Sequence, residues 1–413
     1  MKVVVIPATY NEKGNIEQLI AILEEEVFPK IKDYDMNILV ADDNSPDGTA
    51  DIVRGLGKKW KNLGVNVGEK KGLGAAYIRV MSCAIEEMGA DIVVQIDADL
   101  SHDPREIPKF LDKIKNGYDI AIGTRYSDGG SMPINWPLHR KAFSVCGNIL
   151  VRIITFRFYI HDWTGGMRAI KKDLFLKIRE EVRPYQGYTF QVALLYKSIL
   201  AGYKIAEVPI HFADRKEGHS KIAPFEYIIN LLRYVIGERI IELRRFIKFL
   251  IVGGIGFIVM VVAQELSIIY GLSSWLASVF YTTQSIVGGG IEQLPAHSQG
   301  IATSIGAEFA ILSNFLLNNI WTFSDAKNIK NKSSFIIRLL KFNTASFIAI
   351  LIQGVSTWIG VVLIGQNINI FGFSILTRIA ILFPTIILLI IPLNYFIYNR
   401  LIWKTHLKNS ENY

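Results

Sequence analysis

The chain has 413 residues, half of them hydrophobic, with a mean hydropathy of +0.29 and a formal net charge of +8. This length suits two or three domains, and the hydropathy is too high for an ordinary soluble protein. Two cysteines, Cys83 and Cys146, exclude a disulfide framework and indicate a reducing compartment for the polar half. Lys and Arg concentrate beside the apolar segments, so the charge predicts contact with a membrane surface and not with nucleic acid.

Short apolar runs alternate with helical patterns through the first half of the chain. The runs predict strands near residues 2–7, 37–41, 65–67, 91–96 and 119–122, and the patterns predict helices near 15–28, 48–60, 72–88 and 105–116. The first run is too short to be a signal peptide. The alternation predicts a mostly parallel, doubly wound α/β sheet, and such sheets bind ligands outside the carboxyl ends of their strands.

Polar residues follow four of the predicted strands. The clusters are Tyr10-Asn11-Glu12, Asp42-Asp43-Asn44-Ser45, Asp97-Ala98-Asp99 and Gly123-Thr124-Arg125. Any one of them is explained equally well as turn chemistry, since Asn, Asp, Ser and Gly form turns for local reasons. Four clusters in register are hard to explain in that way, and together they predict a binding site.

Asp97 and Asp99 stand one residue apart at the end of a buried run. Two such carboxylates can share Mg²⁺ or Mn²⁺, and a metal held by one or two carboxylates normally completes its shell with substrate phosphates. An acidic turn is the alternative for the pair taken alone. Beside the other three clusters, the pair predicts an enzyme that uses a nucleotide-diphosphate donor.

Residues 225–248 place apolar side chains at helical spacing, with charged residues between them. This pattern predicts an amphipathic helix in the membrane interface, with a soluble core helix as the alternative. Residues 273–299 contain an apolar run too short to span a bilayer and a Gly-Gly-Gly sequence, which we interpret as an outer interfacial or re-entrant insert. Four stretches are long and apolar enough to span, near residues 249–270, 301–323, 342–364 and 375–398.

Basic residues flank these four spans on one side only, and the connections near 271–300 and 365–374 have no Lys or Arg. By the positive-inside rule both termini and the whole N-terminal half are cytoplasmic, so we expect a multi-pass protein of the plasma membrane. Two carboxylates, Glu265 and Glu308, fall within or beside spans. They either join helices by hydrogen bonds with Asn314, Asn318 and Asn319 or take part in passing a polar head group.

Six motifs in chain order carry a resemblance to a known family. Residues 7–12, 42–49 and 97–102 resemble the family 2 glycosyltransferases of GT-A fold. The resemblance narrows to the dolichol-phosphate mannose synthases through residues 122–126, 135–140 and 207–221.

The apolar half resembles the four-helix GtrA-like membrane module, through Glu308, Asn314-Phe315, Asn318 and Trp321-Thr322-Phe323. Together the two resemblances imply a GT-A catalytic domain at 1–222, an interfacial helix at 223–248 and an all-α transmembrane domain of four helices at 249–413.

The resemblance implies roles for single residues, with Asp99 and Arg125 as the catalytic pair. It implies that the nucleotide sugar is bound by Ala8, Tyr10, Glu12, Ala41, Asp43, Asp97, Ala98, Asp99, Arg125, Arg215 and Lys221. It implies that the lipid phosphate is received by Arg125, Arg140 and Ser144, and that Mg²⁺ or Mn²⁺ is held by Asp97, Asp99 and Ser101. Ala8 replaces the proline of the family, and Ser101 stands where some relatives have Gln or Glu.

Two of the implied roles have structural alternatives. Arg215 and Lys221 would clamp the diphosphate, and the alternative is a solvated basic loop. Asp162 matches an acid at the wall of the family's site, where it is either a general base or a structural acid bonded to nearby backbone.

These expectations combine into one predicted function, the inverting transfer of mannose from GDP-mannose to dolichyl or polyprenyl phosphate for lipid-linked glycosylation. The predicted partners are these two substrates and the lipid bilayer, with no obligate protein partner. A processive polysaccharide synthase is disfavoured because the chain has no Gln-x-x-Arg-Trp motif. Two alternatives stay open: transfer of glucose from UDP-glucose, and a flippase role for the membrane half. A non-catalytic relative is disfavoured because the chain has both predicted metal-binding acids and all four candidate phosphate-binding residues. These are Asp97, Asp99, Arg125, Arg140, Arg215 and Lys221.

Overall fold

The structure is a computed structural model that describes residues 1–214, 224–281, 294–326, 333–365, 367–370 and 373–403. The chain divides into two compact units, Met1–Ile240 and Ile241–Tyr413. The predicted domain boundaries at residues 222 and 248 stay predictions.

The first unit is built on seven strands. They are β1 (Lys2–Thr9), β2 (Asp35–Asp42), β3 (Leu63–Val67), β4 (Ile92–Asp97), β5 (Ile120–Thr124), β6 (Arg168–Lys171) and β7 (Ile205–Pro209). They form one sheet in the order β3-β2-β1-β4-β6-β5-β7, in which only β6 runs antiparallel to its neighbours. The predicted α/β sheet of mostly parallel strands is confirmed, and β6 and β7 are additions that the strand prediction did not contain.

Helices cover both faces of this sheet. They are α1 (Ile16–Ala21), α2 (Thr49–Leu56), α3 (Leu73–Glu86), α4 (Ile107–Lys115), α5 (Leu138–Thr155), α6 (Lys172–Val182) and α7 (Gly187–Leu200). One core cluster joins α3, α6 and α7 to one face, and the other joins α1 and α4 to the opposite face. Successive side chains of a strand point to opposite faces, which is why Val3 and Val5 lie in one cluster while Val4 and Ile6 lie in the other.

The helix α8 (Pro224–Ile269) runs through the segment predicted as interfacial and into the first predicted span. At 1.5 Å per residue its 46 residues extend about 69 Å, more than twice the hydrocarbon thickness of a bilayer. Near its start Leu231, Tyr234 and Val235 are buried in the core of the first unit, whereas Ile236 and Ile240 are exposed. The apolar residues of the predicted interfacial helix therefore have two different environments. Val235 packs against protein, and only the exposed residues are accessible to lipid.

In the part that the structure describes, the second unit is helical apart from one hairpin. Its further helices are α9 (Leu272–Tyr281), α10 (Leu294–Leu317), α11 (Ser333–Ile364), α12 (Thr377–Pro384) and α13 (Ile391–Ile397), and the hairpin is β8 (Asn367–Ile370) with β9 (Phe373–Leu376). Among the described residues, four helical segments are long and apolar enough to cross a membrane: Ile228–Ile269, Ile301–Thr322, Ser334–Ile364 and Thr385–Ile402.

The last span was predicted to start at residue 375, but residues 373–376 form β9, α12 begins at Thr377, and the segment long and apolar enough to cross a membrane is Thr385–Ile402. The predicted helical region with four apolar helices is confirmed, and the hairpin is an addition that was not predicted. The predicted insert at 273–299 is described only as α9 and the start of α10, and its residues 282–293 lie outside the described part of the chain.

Polar contacts join helices of the second unit. The indole Nε1 of Trp403 donates to Asn319 Oδ1 at 3.3 Å, which fits the predicted role of Asn319 in joining helices. Gly256 of α8 faces the Asn314 amide so closely that a Cβ there would overlap it. Glu265 and Glu308 lie on the outer surface of the unit.

Candidate active site

Three of the predicted binding residues are neighbours across the sheet. The central strand β1 pairs with β2 and β4, and the register puts Ala8 beside Ala41 on one side and beside Asp97 on the other. The polar clusters that follow these strands therefore meet at one edge. We refer to this part of the site, with Asp43, Asp97 and Asp99, as the carboxylate side.

The backbone turns sharply after each of these strands. Asn11, Asn44 and Leu100 have φ values of 61°, 54° and 61°, in the left-handed region that residues with a Cβ rarely adopt. Such conformations cost on the order of 1–3 kcal/mol each and cluster at functional sites. The three strand ends thus share one conformational signature, which supports their interpretation as one site.

The side chains predicted to hold the nucleoside already have partners. Lys70 Nζ lies 3.4 Å from the ring centroid of Tyr10, and Asn15 Nδ2 donates to Glu12 Oε2 at 2.9 Å. Burial raises the pKa of Asp43, and the nearby Arg79 guanidinium, 3.4 Å away, opposes that rise. Neither Lys70 nor Arg79 was predicted from the sequence as a site residue. The signal available for Lys70 was its position just beyond β3, whose carboxyl end lies at the same edge.

Asp97 and Asp99 differ in their surroundings. The Asp97 side chain is 31% exposed, whereas Asp99 is buried and its Oδ1 accepts hydrogen bonds from Ser101 N at 3.0 Å and Ser101 Oγ at 2.6 Å. Ser101, which was predicted as a metal ligand, therefore orients the Asp99 carboxylate, and direct contact with a metal stays a prediction. Among the described residues there is no group of three or more His, Cys, Asp or Glu that could hold a metal.

This donor set fits a divalent cation that is shared with a substrate. Two carboxylates supply hard oxygen ligands but too few of them, so phosphate oxygens and water must complete the shell. Gly166 faces Asp97, since a Cβ there would stand 3.3 Å from Asp97 Oδ1 and 3.2 Å from His102 Cε1.

His102 is buried beside Asp97. Burial lowers the pKa of its imidazole, although Asp97 and Asp99 act in the opposite direction. Its Nδ1 lies 3.4 Å from the backbone N of Asp97 and 3.5 Å from Asp97 Oδ2. The His102 ring packs edge-on against Phe212 at 5.1 Å.

Arg125, which follows β5, forms a buried bidentate pair with Asp162. Arg125 Nε and Nη2 lie 2.7 and 2.9 Å from the two carboxylate oxygens, and the side chains are 9% and 0% exposed. Burial alone would raise the pKa of Asp162, but the Arg125 charge and the hydrogen bonds outweigh it and lower that pKa. With Arg140, Arg125 forms what we call the arginine side of the site.

The Asp162 loop is fastened from several directions. Glu207 on β7 accepts from His161 N and pairs with His161 Nδ1, both at 2.6 Å, and it also accepts from Asp162 N at 3.3 Å. Asn148 on α5 accepts from Trp163 N at 2.7 Å. Neither Glu207 nor Asn148 was assigned a role from the sequence, because their partners lie far along the chain.

The remaining residues predicted for the lipid phosphate lie close by. Ser144 Oγ is 2.5 Å from the Tyr126 hydroxyl, and burial raises the pKa of Tyr126. Arg140 stacks on Trp136 at 3.9 Å, and its Nη1 lies 3.8 Å from Asp214 Oδ1. Trp136 Nε1 donates to the same oxygen at 3.1 Å.

Phe212 connects the arginine side with the carboxylate side. Its ring lies 5.5 Å from Arg125 Cζ, 5.7 Å from Trp136 and 5.1 Å from His102. The neighbouring Ala213 N donates to Ser101 O at 3.0 Å. Arg215 and Lys221, the predicted diphosphate clamp, lie outside the described residues, but the segment that leads to them crosses the site.

The fold and the pairing of a carboxylate side with an arginine side define a class of enzyme. Residues 3–179 match the model of "Glycosyl transferase family 2", and residues 248–403 match "GtrA/DPMS, transmembrane domain". The first unit therefore carries a family 2 glycosyltransferase domain, and the second, with its apolar helices, makes this a membrane protein.

One relative resembles the chain over nearly its whole length. The "Dolichol-phosphate mannosyltransferase" of Pyrococcus furiosus is 33% identical over 363 residues, which are 87% of this chain and 90% of the relative. The chain belongs to the family of dolichol-phosphate mannosyltransferases. The resemblance to the dolichol-phosphate mannose synthases that the sequence motifs indicate is therefore confirmed.

Other relatives match a smaller share of the chain. The "Undecaprenyl-phosphate mannosyltransferase" of Micrococcus luteus is 34% identical over 58% of this chain and 96% of its own length. The "Polyprenol monophosphomannose synthase" of Mycolicibacterium smegmatis is 36% identical over 53% and 80%. Among solved structures, glucosyl-3-phosphoglycerate synthase from Mycobacterium tuberculosis with Mn²⁺ and UDP gives a TM-score of 0.41 at 19% identity, over 57% of this chain and 80% of that one.

Proposed function

We propose that this glycosyltransferase moves mannose from GDP-mannose to dolichyl phosphate and forms dolichyl phosphate mannose with inversion at the anomeric carbon. The observation that carries the proposal is the 33% identity with the dolichol-phosphate mannosyltransferase over 90% of its length, both units included. The names of the two bacterial relatives also combine a mannosyl group with a polyprenyl acceptor, which favours mannose over the glucose alternative.

The carboxylate side takes the donor in this proposal. Ala8, Tyr10, Glu12, Ala41 and Asp43 bind the nucleoside, and Ala98 lies between the two acids. Mg²⁺ or Mn²⁺ held by Asp97 and Asp99 would neutralise charge on the diphosphate as it leaves. Ser101 holds the Asp99 carboxylate in place for this contact. Arg215 and Lys221 are proposed to clamp the diphosphate, Arg as a fork and Lys as a point charge.

The arginine side takes the acceptor. Arg125, Arg140 and Ser144 bind the lipid phosphate, one oxygen of which forms a bond to the anomeric carbon while the bond from that carbon to GDP breaks. GDP departs with the electron pair. The acceptor phosphate is already anionic near neutral pH, so the reaction needs orientation and charge stabilisation and no strong base.

Asp162 is a poor general base in this arrangement. Its carboxylate accepts five hydrogen bonds, three from Arg125 and two from Thr164. Its lowered pKa also makes it a weak proton acceptor. These contacts support the structural alternative, in which Asp162 fixes the Arg125 side chain.

We propose that the protein resides in the plasma membrane with its catalytic unit and both termini in the cytoplasm. Most Lys and Arg around the four spans lie on the proposed cytoplasmic side, which supports this orientation, although Arg378 lies in the connection before the last span on the opposite side. A flippase role for the second unit remains the alternative second activity, and Glu308 on its outer surface is the feature that suggests it.

The test is a transfer assay with the purified full chain, dolichyl phosphate and Mn²⁺, in which radiolabelled GDP-mannose is compared with UDP-glucose. We expect label in the lipid phase from GDP-mannose only. Asp99→Asn should lower the rate by about 10²–10³-fold, the typical effect of removing one preorganised electrostatic contact.

The matched control is Asp112→Asn, which changes an exposed carboxylate on α4 and should leave the rate unchanged. Transfer from UDP-glucose alone would assign the chain to glucosyl transfer with the same site. Transfer from neither donor would contradict the proposed reaction.

A further inference from the structure

Arg79 on α3 lies against Asp43, which follows β2. Its Nη1 and Nη2 are both 3.4 Å from Asp43 Oδ1, and Nη2 also donates to the backbone carbonyl of Asp42 at 3.1 Å. Its Nε donates to Oδ1 of Asn66 on β3 at 2.9 Å. The ends of two neighbouring strands therefore hold the guanidinium beside the carboxylate that is predicted to bind the nucleoside.

The backbone just beyond β3 leaves room for this guanidinium. A Cβ on Gly68 would overlap the Arg79 guanidinium, so a side chain at that position would displace it. The backbone N–H of Gly68 donates to the carbonyl of Asp42 at 2.9 Å, which keeps the glycine beside the same carbonyl that Arg79 contacts. The close approach of Gly68 thus helps to hold the guanidinium at the ligand-binding edge of the sheet.

The two side chains each keep one hydrogen-bonding position for a ligand. Nη1 of Arg79 carries two N–H groups, and among the described residues its one hydrogen-bond acceptor is Asp43 Oδ1. Within the same part of the chain, Asp43 Oδ2 accepts no hydrogen bond. The side chains of Arg79 and Asp43 are 27% and 10% exposed, so both reach the solvent. The pair therefore offers a donor and an acceptor next to each other.

A donor beside an acceptor is complementary to some bases and not to others. Guanine and uracil present a carbonyl oxygen next to a ring N–H, which matches this order. Adenine and cytosine present an amino group next to an unprotonated ring nitrogen, which would set donor against donor and acceptor against acceptor. A ribose hydroxyl both donates and accepts, so a pair that bound only the ribose would not distinguish between bases.

We infer that the Arg79–Asp43 pair recognises the base of the donor nucleotide and selects bases that have a carbonyl next to a ring N–H. In this arrangement Nη1 donates to the base carbonyl and Asp43 Oδ2 accepts from the ring N–H. Arg79 is then a specificity-determining residue that excludes adenine and cytosine, and the choice of guanine over uracil depends on other contacts. The inference rests on the proposed function in one respect, the binding of the donor nucleoside at this edge.

The first experiment measures nucleotide binding and needs no transfer. Titration calorimetry of the purified full chain in detergent, with Mn²⁺, compares inosine diphosphate with ADP and uses GDP as the reference. Hypoxanthine and adenine have the same ring and both lack the 2-amino group, so they differ only at the carbonyl and ring N–H in question. We expect inosine diphosphate to bind about hundredfold more tightly than ADP, which corresponds to about tenfold for each of two hydrogen bonds.

The second experiment repeats this comparison with two variants. Arg79→Met removes the donor, and Gly68→Ala displaces the guanidinium while retaining its charge. Both should reduce the preference for inosine diphosphate over ADP to about tenfold or less, because only the contact with Asp43 remains. The matched control is Arg54→Met, which removes an exposed arginine on α2 that pairs with Asp51 at 2.6 Å, and it should keep the full preference.

An unchanged preference in both variants, with an equal loss of affinity for the two nucleotides, would overturn the inference. Arg79 would then only position Asp43, or the pair would bind the ribose. Equal binding of inosine diphosphate and ADP to the unmodified chain would also overturn the inference, but the proposed function would stand if GDP binds. If GDP does not bind, the inference and the donor site of the proposed function fail together.

Discussion

The carboxylate side and the arginine side of the site are held together in different ways. On the carboxylate side, Asp99 bonds to the nearby Ser101 and the adjoining Asp42 bonds to Ser45, although Asp43 pairs with the distant Arg79. On the arginine side, Arg125 pairs with an acid 37 positions away. The bonds of Asp99 and Asp42 to these serines are local and follow from turns at strand ends, whereas the Arg125 pair exists only in the finished fold.

This difference separates the two sides in both function and stability. The acids of the carboxylate side have a partly exposed member, Asp97, and we propose that ligands complete their coordination. The buried pair Arg125–Asp162 is already neutralised from within, so it contributes mainly fixed geometry. We therefore expect changes on the arginine side to affect folding as well as transfer, and changes on the carboxylate side to affect transfer alone.

The largest effect is expected at Asp162. Asp162→Asn leaves Arg125 buried without a counter-charge and should lower the free energy of unfolding by about 3–5 kcal/mol. The pKa of Asp162 in the folded protein lies below its usual 3.8, so its stabilising effect is complete above that value and is lost as the pH falls through the folded-state pKa. The loss on substitution should thus be constant between about pH 5 and 8. Denaturant unfolding of the full chain in detergent measures it.

A double variant sharpens this test. Asp162→Asn with Arg125→Gln removes both charges and should recover much of the lost stability without recovering transfer. If the single variant unfolds like the unmodified chain, the Arg125–Asp162 pair does not stabilise the fold. The predicted difference in stability effects between the arginine side and the carboxylate side would then be wrong.

Glu207 is expected to have the next largest effect, as a positioning residue. Glu207→Gln retains an oxygen for the backbone N–H groups of His161 and Asp162 but loses the charged contact with His161 Nδ1. Hydrogen bonds to charged groups contribute about 1.5–3 kcal/mol. We expect the KM for the lipid acceptor to rise more than tenfold while the KM for the donor is unchanged, in steady-state assays with each substrate varied. A matching rise in both KM values would contradict a specific role on the arginine side.

Gly166→Ala tests the tolerance of the carboxylate side. The new Cβ would crowd Asp97 and His102 at 3.2–3.4 Å, so one of them must shift by a few tenths of an ångström. Since a displacement of about 1 Å can cost 10²-fold in rate, we expect about a tenfold loss of kcat with little change in unfolding. Gly147→Ala on α5, where a Cβ meets nothing within 4 Å, is the control and should retain full activity. A large loss of stability in Gly166→Ala would show that this side too is structural.

The smallest effect is expected at Asp214, whose pair with Arg140 is partly exposed. Asp214→Asn removes an anion that competes with the acceptor phosphate for Arg140. We expect the KM for the acceptor to fall by up to about fivefold, most clearly at low salt, because exposed pairs contribute at most about 1 kcal/mol. Asp103→Asn, which breaks a similar surface pair with Arg105, should leave the KM unchanged. A rise in this KM for Asp214→Asn would mean that Asp214 positions Arg140.

The sequence predicted the carboxylate side better than the arginine side, for a physical reason. The acids of the first follow strands whose alternation of apolar runs and helices is visible in the chain, so their meeting at one sheet edge could be inferred. The pairing of Arg140 with Asp214 and the fastening of Asp162 by Glu207 depend on tertiary contacts that no local pattern encodes. Lys70 was missed although its strand end was predicted.

The helices show the same limit. Periodicity reveals that a helix is amphipathic, but it does not say which face is buried. The exposure of apolar residues of α5 such as Leu138 and Ile153 could therefore not be predicted. In α8 one pattern serves both a core contact at Val235 and exposed positions such as Ile236. The last span was predicted to start at residue 375, where β9 pairs with β8; the helix α12 begins at Thr377, and the apolar spanning segment begins at Thr385.

Arg168 lies fully buried beneath the site. Its guanidinium donates to the backbone carbonyls of Gly165 at 3.0 Å, Gln191 at 2.6 Å and Trp163 at 3.1 Å. Two of these acceptors belong to the loop that holds Asp162, so that loop cannot open without stranding a cation in the interior. The amide protons of the Asp162 loop should therefore exchange with solvent as slowly as those of β4. In most enzymes the loops that carry function unfold locally before the core does, but here the Asp162 loop and the core would unfold together as a single cooperative unit.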